Sequence, residues 1–193
     1  MYIIPMNTIL EWLSIGDLTS DGQANEVVEL VSENLQLLPD LVDALGNPSD
    51  VIRGHGADAL EKVARKHPET VAQHLPTLLQ IAKNDPVPMV RWHIAMTLGH
   101  LATSPESKDE IADTLLVLLH DKSVFVQSWA ISSLCIVARL HPEHAGQFTQ
   151  GIADLSNSPS TAIRSRVRKA LTILTDPKAP FPKGWVKSPH IKL

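Results

Sequence analysis

The chain has 193 residues, enough for one continuous core, and is 44% hydrophobic with only three Phe and one Tyr, so its interior must be built from Leu, Val, Ile and Ala. Its net charge of −4 hides a segregation: residues 1–163 carry 9 Lys and Arg against 20 Asp and Glu, or −11, while residues 164–193 carry 8 against Asp176 alone, or +7. One cysteine, Cys135, excludes an intrachain disulfide and a thiolate metal cluster, and no run approaches the roughly 20 apolar residues of a membrane span.

In chain order, MYIIPMNTILEWL lacks a basic leader and a small-residue cleavage site, which with the lone cysteine predicts a soluble, cytoplasmic protein. Asn7 to Ser14 reads as a short helix stopped near Gly16, and a second helix is entered from Ser20 or Asp21. Residues 1–37 are expected to cap a stack that occupies 38–175, because the end of a stack has no neighbour on one side.

Four segments then repeat one pattern: VIRGHGADALEKVA from Val51, VRWHIAMTLGHLA from Val90, VQSWAISSLCIVA from Val126 and IRSRVRKALTILT from Ile163. Arg53, Arg91, Gln127 and Arg164 share one position, at steps of 38, 36 and 37 residues. Counting that position as zero, apolar residues fall at −1, +3, +7 and +10, within an arc of about 80° on a helix. Small residues flank the stripe at +6, as Ala59, Thr97, Ser133 and Ala170 do, which lets helices approach closely. A first helix precedes each of these, entered at Pro68-Glu69, Pro105-Glu106 or Pro142-Glu143. The turns between the two helices begin at Asn47, Asn84, His120 and Ser156; Asp50 and Ser123 are the expected N-caps, and Pro88 suits a first helical position. The reading is all-α: a right-handed α-α superhelix of about four helical hairpins in one domain, 1–175. DPKAPFPKGWVKSPHIKL, residues 176–193, has four prolines in eighteen residues and is an extended basic tail, either packed on the last hairpin or free to bind a partner.

These residues resemble the HEAT-repeat family over about residues 38–175. The turn Asp or Asn, the Val90-Arg91 pair, the small residue three or four positions on and the Leu at +7 carry the likeness. Pro39 and Pro76 fall where that family often kinks its first helix. Gln127 in place of Arg, and Arg168 where Ala57 and Ala95 stand, depart from the pattern.

The outward positions of the second helices are +1, +5 and +8, which places Trp92 and Met96 together on a face expected to be solvated. Large apolar groups there mark a partner-binding groove, with His93 and Trp129 at its boundary. The alternative is that Trp92 folds over the seam between repeats. A second candidate surface is basic: Arg164, Arg166, Arg168 and Lys169 on the last helix, then Lys183 and Lys187 in the tail. It suits nucleic acid or an acidic partner, unless those cations pair with the chain's own acidic surface. His55 and His93 share the +2 row and read as seam-packing residues.

No catalytic, cofactor or metal site is expected. A deoxyhypusine hydroxylase of similar repeats holds two irons on His-Glu dipeptides, and the chain has none. The HEAT-like alkylated-DNA glycosylases imply a basic face with aromatics and a carboxylate, a resemblance that would fall on Trp92, Trp129 and Asp58; the acidic first three repeats argue against it. The function that follows is a non-catalytic protein-binding scaffold, monomeric or weakly self-associating, with the basic end as the alternative contact.

Overall fold

A computed structural model describes residues 6–103 and 105–192. Residues 1–5, on which the reading of a missing leader partly rests, lie outside the described residues, as does Leu193. The second helices of the repeats are α4 (Asp50–Lys66), α7 (Pro88–Leu101), α9 (Val124–Leu140) and α11 (Thr161–Thr175). They lie side by side in that order, and each is backed by a first helix: α3 (Leu38–Ala44), α6 (Leu75–Asn84), α8 (Lys108–Leu118) and α10 (Ala145–Ala153). The short α5 (Pro68–Ala72) precedes α6. Two N-terminal helices, α1 (Met6–Leu13) and α2 (Ala24–Glu33), pack on the open flank of α4. The numbering is therefore α1 to α11, with no strand among the described residues.

Local chemistry sets the boundaries. Ser49, one residue before the expected cap, accepts from the amide of Ile52, and Asp50 is instead the first helical residue, bonded to Arg53. Ser160 caps α11 in the same way, whereas Ser123 sits at the cap position of α9 without a side-chain bond. Pro88 opens α7 as expected. Pro39 and Pro76 do not kink a continuous helix: each stands in the first turn of α3 or α6, where no amide hydrogen is needed, so the preceding turn breaks and a new helix starts. For the same reason Pro68 opens the separate α5, and Pro105 and Pro142 open short 3₁₀ turns.

The apolar stripe becomes one continuous core. Leu60, Leu98 and Leu134 at +7 are fully buried, as are Val90, Val126 and Ile163 at −1. Each buried Leu or Ile contributes on the order of 1.5–3 kcal/mol, so stacking dominates the fold. Helices α7 and α9 approach closely where Gly99 meets Ser133: a Cβ on Gly99 would lie 2.6 Å from Ser133 Oγ and 3.3 Å from its Cα. The Ser133 hydroxyl donates to Ala95 O at 2.8 Å across that contact.

A ladder of charge fixes the register between repeats. Arg53 Nε donates to Asp85 of the next turn at 2.8 Å, and Arg91 reaches Asp121 of the turn after that with two bonds, 2.7 and 3.0 Å. Each acceptor also closes its own turn, Asp85 on the amide of Val87 and Asp121 on that of Ser123. The next rung would join position 127 to position 158, where Gln127 stands in place of the arginine and Ser158 in place of the acid. Gln127 thus spares the chain an unpaired arginine at that seam.

Candidate functional site on the second-helix face

The face expected to be solvated is largely covered. At +1, +5 and +8 of α4 stand Gly54, Asp58 and Glu61, all buried; Ser128, Ser132 and Cys135 of α9 are buried as well. Over α4 the cover is the loop following α1. His55 holds it, its ring nitrogens lying 2.9 Å from Leu13 O and 3.0 Å from both Asp17 O and Ser20 O. Gly22 permits the loop to close, since at φ +50° its Cβ would lie 2.2 Å from Ile15 O.

Over α7 and α9 the cover is the C-terminal tail. It leaves α11, passes Arg139, which donates to Ala179 O at 2.9 Å and stands over the Phe181 ring, and buries Trp185 to 6% exposure. Trp185 fills a slot with Met96, His100, Trp129, Ser133 and Ile136. Three residues on, the Ser188 hydroxyl donates to Arg65 O at 2.8 Å, at the far end of α4, and Ile191 is buried beyond it. The tail therefore runs back across the second helices instead of lying on the last hairpin alone.

Tail docking merges the two candidate surfaces. The Arg166 guanidinium lies between two indoles, 5.2 Å from the Trp129 centroid and 5.0 Å from that of Trp185, and Lys187 Nζ is 4.8 Å from the Trp129 centroid. Beside them a groove of about 460 Å³ opens to solvent, lined by Phe125, Trp129, Arg166, Lys169 and Trp185 among others. Phe125, 62% exposed, is tilted 44° against Trp92 with centroids 5.0 Å apart.

The individual residues fare differently. Trp92 is partly buried, packed against the core, and donates its indole N–H to His93 Nε2 at 3.2 Å. His93 is nearly enclosed; burial pulls its pKa below the ordinary value against the opposing pull of Asp58 and Glu61, which suits a neutral ring accepting from Trp92. Met96 is 4% exposed and lies under the tail, so the expected Trp92–Met96 pair does not form an open surface. The basic set also divides. Arg164 is spent on its own turn, donating to Ser158 O, Pro159 O and Thr161 Oγ1. Arg168, Lys169 and Lys183 are exposed, and Lys187 is half-buried. Phe125 and Trp185, outside the expected site residues, complete the groove. A signal for Phe125 was present: at −2 it stands at about 160° on the helix, next to the +5 position at about 140°.

Beneath the tail is a fully buried acid. Glu61 accepts from His100 Nε2 at 2.8 Å and from Arg65 one turn later on α4. Burial alone raises its pKa, but the bonds from His100 and Arg65 outweigh it and bring the group down to about 2. Asp58, the carboxylate to which the glycosylase resemblance pointed, is buried and bonded to Lys62 at 2.8 Å. Among the described residues no three His, Cys, Asp or Glu side chains gather as a metal-ligand set, and no helix is long and apolar enough to cross a membrane.

Residues 75–148 match the family of HEAT repeats. Among solved structures, the chain is similar to computationally designed armadillo repeat proteins for modular peptide recognition, with a TM-score of 0.65, 14% identity and coverage of 87% of this chain and 81% of that one. It is also similar to a designed armadillo repeat protein in complex with the peptide (KR)4, with a TM-score of 0.62, 16% identity and coverage of 88% and 73%. No curated protein matches it. At these identities the likeness establishes the fold.

Proposed function

We propose, from the premise that this chain is an α-solenoid of the HEAT-repeat family, that it is a non-catalytic protein-binding scaffold whose contact is the open end of its second-helix face. The observation that carries this is Phe125: a large apolar side chain, 62% exposed, tilted against Trp92 and lining a groove walled by Trp129 and Trp185. The groove is built on α9 and α11, which the core holds rigid, so little ordering is lost on the scaffold side when a partner docks. Recognition of an extended segment is consistent with the (KR)4 complex of a protein of similar fold, and with the chain's own tail lying extended over its second helices. A cytoplasmic setting and a monomeric or weakly self-associating state belong to the same proposal.

The test is affinity capture from source lysate with the full chain and with Phe125→Ser, an exposed change that leaves the core intact. Partners retained by the natural chain and lost by the variant are expected. An identical partner set with both proteins sinks the reading.

A further inference from the structure

We infer that the groove between α9 and α11 recognises an acidic, aromatic-bearing linear segment of a partner protein, with Arg166 receiving its carboxylate. This rests on the scaffold reading above and names the chemistry of the segment.

Arg166 is the main witness. Arg53, Arg65 and Arg91 each meet a carboxylate of this chain, Arg139 turns to a backbone carbonyl of the tail, Arg164 to those of its own turn, and Arg168 is exposed to solvent. Arg166 stands mid-surface with no carboxylate among the described residues. Its Nη1 donates to Ser128 O at 2.8 Å and Ser132 Oγ at 2.6 Å, and no partner among them takes Nε or Nη2. A guanidinium presents five N–H donors in a fork matched to a carboxylate, so Arg166 keeps donors in reserve. Burial between two indoles pulls its pKa down with no acid to offset the cost of holding the charge there. A ligand carboxylate would supply that offset.

The rest of the groove agrees in sign and in shape. None of its nine lining residues is acidic, although the chain carries 21 Asp and Glu. Lys169, exposed and three residues along α11 from Arg166, adds a second cation on the same wall. Phe125, Trp129 and Trp185 supply apolar surface in a volume of about 460 Å³, room for a side chain as large as an aromatic ring. Two lining cations suit one or two carboxylates. A polynucleotide needs a longer track of cations than this groove offers, and Asp58 and Glu61 lie close enough to act on Lys187 at the neighbouring position.

The experiment pans a phage-displayed library of random linear peptides on the immobilised full chain. The enriched sequences are then synthesised and titrated calorimetrically. Enriched peptides are expected to place Asp or Glu within about three residues of Phe, Tyr or Trp. Replacing that acid by its amide, or introducing Lys169→Glu or Arg166→Lys, is expected to weaken binding at least tenfold. Thermal melting confirms that Lys169→Glu, an exposed change, remains folded. Peptides without acids that are lost on Phe125→Ser but indifferent to Lys169→Glu overturn the anionic assignment and leave the scaffold reading standing. Peptides indifferent to Phe125→Ser, or no enrichment, overturn both. Tighter binding of a single-stranded oligothymidylate than of any peptide, abolished by Lys169→Glu, overturns the inference in favour of nucleic acid.

Discussion

Glu61→Gln is expected to cost about 3 kcal/mol of stability at pH 7 and much less in acid. The carboxylate is fully buried on α4 and holds two donors, His100 from α7 and Arg65 from its own helix. Burial opposes its ionisation, yet those two bonds prevail and lower the pKa from an ordinary 4.5 to about 2. A difference of about 2.5 pH units, at about 1.4 kcal/mol per unit, gives roughly 3 to 4 kcal/mol of preference for the ionised group in the fold. Because the folded pKa is the depressed one, the contribution is complete above about pH 4.5 and drains away as pH falls towards 2. Less than half of it is left at pH 3. Glutamine keeps the shape and one acceptor but not the charge. Urea unfolding of both proteins, followed by far-ultraviolet circular dichroism at pH 7, 5, 4 and 3, isolates the effect, since other carboxylates cancel in the difference. A gap that stays constant from pH 7 to pH 3, or one below 1 kcal/mol at pH 7, would refute the assignment of Glu61 as the acid that joins α4 to α7.

Gly99→Ala is expected to destabilise by about 1–3 kcal/mol, although alanine favours a helix by about 1 kcal/mol, because α7 and α9 must part at Ser133; a melting temperature at or above that of the natural chain would show that the contact yields. Trp185→Ala should free the tail, seen as rapid amide exchange over residues 180–191 and faster tryptic cleavage after Lys187, with α4 to α9 still protected; protection of the tail as strong as before would show that Trp185 is not its anchor. Cys135, fully buried and with its thiol pushed up to about 12 by that burial, should stay unreactive to a disulfide reagent at pH 8 until urea is added. Stoichiometric labelling of the folded chain within minutes would contradict this.

The repeats were legible because helical period, turn chemistry and the fixed step of the Arg position all report local structure. Even Gln127, a departure from the pattern, is intelligible once Ser158 is placed opposite it, although pairing across repeats is invisible to a periodicity count. The tail was legible only as extended and basic. Its path depends on contacts such as Ser188 with Arg65, 123 residues apart, and no local pattern encodes a partner so distant. That path inverted the expectation for the site: Met96 was read as exposed from the helix angle alone, and the angle was right, but a segment without periodicity covers it. Trp129 and Arg166 belong to different surfaces in the sequence pattern; only the return of Trp185, against the Arg166 guanidinium that also meets Trp129, makes one groove.

The same tail fixes how many hairpins can stand between α4 and α11. In an open solenoid a hairpin can be duplicated and the stack simply lengthens, since each unit touches only its neighbours. Here the span from α11 to Arg65 must be bridged by the residues between Thr175 and Ser188. One more hairpin would add roughly 10 Å to that span, the usual distance between packed helices, or about three extended residues. A duplication without a matching insertion in the tail would pull Ser188 off α4 or lift Trp185 out of its slot. Residues 176–188 thus act as a gauge of the stack from α4 to α11, and variants with another hairpin inside that stretch are expected to carry a correspondingly longer tail.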